Sequence, residues 1–318
     1  MFATLLGSLP RPTADAALDD EGPVSVATSV LIERAIRAQE AAGLEPVTDG
    51  RLGDTPFARL IAPELAVEAW QRAAGLTDRA VKQAIPGPYS LGRLPDARQD
   101  PHQGAQRQRR TLELAEAIGA VALALAAAGC QLIEIEESEA HRIGDDERER
   151  QLFMAAHRRL TDGVAGTHLA LSIVGGAADE AGVATILDAP YASLALDLIA
   201  GPDNWNLVAR TPGDRGIVAG ALSAGTTDEP REVLLWAAHY AASTGGRGIA
   251  RVGLGSAGSW ANLTWEVALR KLQLLGDAAR LATLPPGEEL ARSVVPASIS
   301  ARRAAVGTSG VRGPRTRR

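Results

Sequence analysis

The chain has 318 residues, a net charge of −5, 46% apolar residues and only 3% aromatics. It is long enough for one large α/β domain or two smaller ones, with an aliphatic, Ala-rich core. The acidic balance argues against general nucleic-acid binding. The single cysteine, Cys130, excludes an internal disulfide framework and a Cys-rich zinc site.

A soluble, cytoplasmic protein is expected. "MFATLLGSLPRP" lacks the basic and apolar regions of a signal peptide. "AIGAVALALAAAGC" is too short to span a membrane and reads as a helix facing the core.

Short apolar runs alternate with helical patterns along the chain. "FATLLGS" (2–8) reads as a strand and residues 29–43 as a helix stopped by Gly43. "LEPVTDG" (44–50) is a short strand and turn. Residues 55–75 are helical but interrupted at Pro63. "AVKQAIPGPYSLG" (80–92) is a strand entering a turn, and 106–129 is a long helix. Strands follow at 130–138, 167–176, 191–201, 215–225 and 248–256. Helical stretches at 145–163, 179–189, 202–211, 229–244 and 259–282 separate or follow them.

Eight strand–helix alternations with continuous apolar strands suit a parallel sheet covered by helices. Their total length fits a (β/α)8 TIM barrel over residues 1–284. A doubly wound sheet is the rival. "GLGSAG" (253–258) comes close to the spacing of a dinucleotide loop, but at the far end of the chain, with no acid-ended strand after it. Residues 285–318 read as an Arg-rich, disordered tail, with weak attraction to anionic surfaces or RNA as the alternative.

In a barrel the chemistry sits at the C-terminal ends of the strands. Those ends carry Gly7, Ser8 and Arg11, then Asp49, Arg51 and Asp54, then Tyr89 and Ser90. The densest signal is "EIEESEAH", with Glu134, Glu136, Glu137, Glu139 and His141. Strand alternation puts Glu134 and Glu136 on one face and Glu137 on the other. If they point inward, Glu134 and Glu136 need a cation, a metal or an amine; otherwise some of these acids cap the next helix or pair with Arg142. His168 begins an apolar strand, where a lone histidine is more often structural than a ligand. Asp197 lies inside "SLALDLIAG", where an unpaired carboxylate would be costly, so a partner is expected. No serine has a nucleophile-elbow context. Neither lysine, Lys82 or Lys271, is placed like a Schiff-base residue.

In order, "LLGSLPRP", "TDGRLGD", "IPGPYSL", "GCQLIEIEES", "THLALS", "LALDLIAG" and "WEVALRKLQLL" resemble the catalytic half of cobalamin-independent methionine synthase over residues 3–282. The resemblance implies a (β/α)8 barrel in a short form, without the family's N-terminal duplicate barrel. It implies methyl transfer from methyltetrahydrofolate to a thiol activated by zinc, without cobalamin. His168 matches the family's histidine ligand and Asp197 its glutamate. Ala170 and Ser256 fall at or near the cysteine positions, so both thiolates are missing and at best a degenerate site of His168, Asp197 and Ser256 is implied. "SAGTTDE" lacks the histidine of the family's acid step.

Gly7–Ser8 matches the family's site for an amino-acid carboxylate. Glu136 and Glu137 match its acids for the substrate amine. Asp49 matches the start of a motif in which Arg51 replaces a glutamate. Arg11 and Tyr89 complete the expected binding set around a small amino-acid-like ligand. The resemblance thus implies a methyl or alkyl transferase, with Glu136, Glu137, Asp197 and His168 as the catalytic candidates. The alternatives are a metal-free lyase or decarboxylase using Glu136, Asp197 and His168, or a ligand-binding pseudoenzyme.

Overall fold

Aliphatic runs form seven parallel strands: β1 (Phe2–Thr4), β2 (Lys82–Pro86), β3 (Leu132–Glu137), β4 (His168–Ile173), β5 (Ser193–Asp197), β6 (Gly216–Leu222) and β7 (Val252–Ser256). The computed structural model describes residues 1–12, 24–94, 103–227 and 229–284. The expected tail, 285–318, lies outside them.

The strands make one sheet in the order β1-β7-β6-β5-β4-β3-β2. Every pairing is parallel, each strand from β2 to β6 lies beside its successor in the chain, and β1 lies beside β7. A doubly wound sheet would reverse this order partway, so that rival is excluded.

The strand expected at 44–50 does not form as such. Residues 45–47 instead touch both edge strands. The Glu45 N–H donates to Ala3 O (3.0 Å) and the Val47 N–H to Ala80 O (2.9 Å), while Val47 O accepts from the Lys82 N–H (2.9 Å). Val47 and Val81 form a single parallel bridge.

Nine helices connect the strands among the described residues: α1 (Val24–Ala41), α2 (Pro63–Ala74), α3 (Pro88–Arg93), α4 (Gln103–Ala127), α5 (Glu147–Thr161), α6 (Val183–Ile186), α7 (Trp205–Arg210), α8 (Arg231–Ser243) and α9 (Trp265–Ala282). Pro63 opens α2 rather than breaking it, because its missing N–H is an unpaired donor at that position anyway. Asp146 caps α5 through the Arg148 N–H (2.8 Å). The turn expected after β2 is a helix, α3, with Pro88 at its start.

Alternation sorts the side chains of each strand. Ile133, Ile135, Leu169, Leu171, Leu194, Leu196, Ile217 and Leu254 pack in the main core with the helices. The opposite face is sparser. Leu6, Ala195 and Val218 form a separate small cluster there with Phe2. The same face carries the polar residues Lys82, Glu134 and Glu136.

Candidate functional site

A cavity of ≈ 380 Å³ opens where β1 and the 48–57 segment end, lined in part by Gly7, Ser8, Arg11, Asp49 and Arg51. Five of the six residues expected to bind substrate therefore meet in one place. Tyr89 does not: it is fully buried, and its hydroxyl donates to Glu149 Oε2 (2.7 Å).

The walls are held by backbone bonds. The Trp260 N–H donates to Ser8 O (2.8 Å) and the Leu9 N–H to Gly50 O (2.9 Å). Gly7 has φ 83°, and a Cβ there would come within 2.7 Å of Ser259 Cα, so the turn requires glycine. Gln39, on α1, donates to Thr48 O (2.8 Å) and accepts from the Thr48 N–H (3.0 Å). Asp49 Oδ1 accepts from the Arg51 N–H (2.9 Å), a local turn that holds Arg51 at φ 56°.

The Arg51 guanidinium forks onto both oxygens of Glu136 and lies 3.6 Å from the ring centroid of Phe57. Glu136 thus finds the cation its inward face requires. Desolvation by burial pushes the Asp49 carboxyl above the ordinary aspartate range, although the Arg51 N–H opposes the shift. Lys82 and Glu134 also border the cavity. Both are 2% exposed, with Nζ and Oε2 2.7 Å apart, and Lys82 also donates to Leu5 O (2.8 Å).

The other expected catalytic residues lie elsewhere. Glu137 faces the helices and is fully buried. It accepts from the Tyr89 N–H (3.0 Å), the Ser90 N–H (2.7 Å) and the Ser90 hydroxyl, and His157 Nε2 is 3.1 Å away. It caps α3, leaving no oxygen for a substrate. Asp197 accepts from the backbone N–H groups of Ile199 (2.9 Å), Ala200 (2.8 Å) and Gly175 (3.2 Å). The partners its burial demanded are amides of the loops around it.

His168 stands at the other end of the sheet. It is the first residue of β4, with Nε2 2.8 Å from Ser193 Oγ. Ala170 is in register with Ser193, so His168 lies two positions before that level and Asp197 four after it. At about 3.3 Å per residue the two are separated by roughly 20 Å along the strands. Zinc ligands must stand at about 2 Å from one ion, so this pair cannot share one. The Ser256 hydroxyl is also committed: it donates to Leu6 O (2.7 Å) and accepts from the Leu6 N–H (2.8 Å). No group of three or more His, Cys, Asp or Glu among the described residues is placed to hold a metal. The donors expected for zinc do not fit it, and the trio Glu136, Asp197 and His168 is not brought together either.

Sequence reasoning undervalued Lys82 and Glu134. The available signal was a single lysine entering an otherwise apolar strand beside an acid-bearing one.

As assembled, the cavity is lined by Arg11, Arg51 and Arg72, by the Ser8 hydroxyl and by the Asp49 carboxyl, whose burial favours the protonated form. It can bind a compact polar ligand and exchange one proton with it.

No protein-family model matches the chain, and no curated protein matches it in sequence. Solved structures do share its architecture. A B12-independent methionine synthase from Shewanella sp. W3-18-1, in complex with selenomethionine, superposes with TM-score 0.71 at 17% identity, over 88% of this chain and 96% of that one. A candidate vitamin B12-independent methionine synthase from Listeria monocytogenes gives 0.68 at 16%, over 88% and 97%. A methyltransferase from Methanosarcina mazei gives 0.60 at 14%, over 88% and 94%. At these identities the likeness shows the fold: a parallel α/β architecture similar to the methionine synthase barrel.

Proposed function

We propose that this chain is a methyltransferase-like protein that binds a small amino-acid-like ligand between the Gly7–Ser8 turn and Asp49. The observation that carries this reading is the convergence of Gly7, Ser8, Arg11, Asp49 and Arg51 on one cavity. The selenomethionine in the Shewanella neighbour supports the ligand class. The architecture is read as an eight-position barrel in which residues 44–48 take the eighth place, supported by their bonds to both edge strands.

The Ser8 hydroxyl and Arg11 receive the ligand's carboxylate. Asp49 holds or releases a proton at Oδ2, since Oδ1 accepts from the Arg51 N–H. Arg51 is neutralised by Glu136 and shapes the wall over Phe57. Methyltetrahydrofolate is the donor to test first, with homocysteine as acceptor. No step passes through zinc, because the donors expected for it do not converge.

Calorimetric titration with L-methionine and L-homocysteine tests the binding. Saturable binding that falls at least about tenfold in Ser8→Ala and Asp49→Asn is expected, the loss of one or two hydrogen bonds to charged groups. Absence of binding, or binding indifferent to both substitutions, refutes it. Methyl transfer is then assayed with and without added zinc. Binding without transfer supports the second reading, a ligand-binding pseudoenzyme, which the dispersed donors favour.

A further inference from the structure

The starts of the strands line a second, half-open cavity of ≈ 710 Å³, on the face opposite the site just described. In a (β/α)8 barrel such space is filled by bulky branched side chains. Here Ala170, Ser193 and Gly216 stand at those positions and leave it open. Phe2, Leu132 and Val218 give it apolar walls. Its volume lies in the range of small-molecule sites.

One polar group in this wall has no counterpart. Glu134 is 2% exposed, and its Oε2 is bonded to Lys82. Its Oε1 has no hydrogen-bond partner. A buried carboxylate oxygen without a donor is costly, and a donor supplied by a ligand would recover that cost. The orphan acceptor favours a cation over an anion. Glu134, Glu45 and Asp214 line the cavity with Lys82 and Arg251, and Asp214 is offset by Arg215 at 3.9 Å, so the rim adds no net charge and Glu134 makes the selection. His168 adds none near neutral pH, because desolvation lowers its pKa from the ordinary value; its ring is bonded to Ser193 at the cavity wall.

We propose that this cavity is a ligand site for a small amine with a compact apolar body, its ammonium group on Glu134 Oε1 and its body against Phe2, Leu132 and Val218. Lys82 and Glu134 are the residues common to the two cavities among their described linings. Lys82 also holds Leu5 O, two residues before the Gly7–Ser8 turn. An amine bound below is therefore in contact with the floor of the site above.

The probe is cyclohexylamine, with cyclohexanol as its neutral counterpart, titrated calorimetrically into the full chain. Saturable one-to-one binding of the amine is expected, at least about tenfold tighter than the alcohol, the worth of a charge-assisted hydrogen bond. Ala170→Leu fills the space and Glu134→Gln removes the charge; each lowers amine affinity at least about tenfold. Asp49→Asn leaves it unchanged while weakening amino-acid binding in the first cavity, so the two sites fail separately. Ala170→Leu keeps the buried ion pair and remains informative if Glu134→Gln does not fold. The proposal is overturned if the amine does not bind saturably, if the alcohol binds as well, if folded Ala170→Leu retains full affinity, or if Asp49→Asn abolishes amine binding.

Discussion

Lys82→Met isolates the buried ion pair on which both cavities rest. In the native chain Lys82 Nζ makes two bonds, to Glu134 Oε2 (2.7 Å) and Leu5 O (2.8 Å). Glu134 has no other hydrogen-bond partner, only the longer-range attraction of Arg51, so removing the ammonium leaves a carboxylate without a hydrogen-bond donor at a position 2% exposed. Breaking a buried pair from one side costs about 3–5 kcal/mol. At about 2 °C per kcal/mol for a chain of this size, Tm falls by roughly 6–10 °C. In Lys82→Met/Glu134→Leu the unpaired charge is gone, and replacing a buried pair by apolar side chains is often neutral or stabilising. The orphaned Leu5 carbonyl persists in both variants at about 1–3 kcal/mol, so the double variant regains at least about 2 kcal/mol over the single one. Equilibrium urea unfolding followed by circular dichroism measures both. A single variant within about 1 kcal/mol of the native chain, or a double variant no more stable than the single, refutes the reasoning.

The remaining predictions concern pH and packing. Burial raises the Asp49 pKa, so its stabilising contribution is complete below about pH 4 and is lost as pH rises through the raised value. Asp49→Asn should therefore gain stability relative to the native chain between pH 4 and pH 7 in urea unfolding at each pH; a constant difference refutes this. Glu149 behaves in the opposite sense: the Arg107 hydrogen bond, helped by Tyr89 and Arg93 and opposed by desolvation, holds it at about 2. Its contribution is present above the ordinary glutamate range and is lost as pH falls toward 2, so the Tm difference between the native chain and Glu149→Gln should shrink on acidification. Gly276→Ala places a methyl group against the backbone carbonyl of Ala42, where α9 crosses the end of α1. Despite alanine's better helix propensity it should destabilise by about 1–3 kcal/mol, measured by thermal melting.

Much of the fold was legible because periodicity is local. The runs at 130–138, 167–176 and 215–225 became β3, β4 and β6, and α5 and α9 fall inside their expected helical stretches. The helix α3 was missed although Pro88 is a start signal, because its N-terminal amides are capped by Glu137 on β3, far away in sequence. The 44–50 run reads as a strand by composition, yet only Val47 makes a bridge. In the site, the end of β1 and the 48–51 turn were legible together, because both are strand-end segments carrying polar residues. His168 misled, because an apolar strand with a polar residue at its head does not tell which end of the sheet that residue occupies.

By itself the sequence determined the alternation of strands and helices, the aliphatic core, and the face on which each acid of 134–137 would lie, since these follow from the two-residue period of a strand. Only the tertiary structure decided what each acid does there. Glu136 became the partner of Arg51, Glu137 the cap of α3, and Glu134 half of a buried pair with one oxygen left open. The physical reason is that a buried carboxylate must take its donors from whatever the packing brings near it. Those donors come from segments 47 to 85 residues away in the chain.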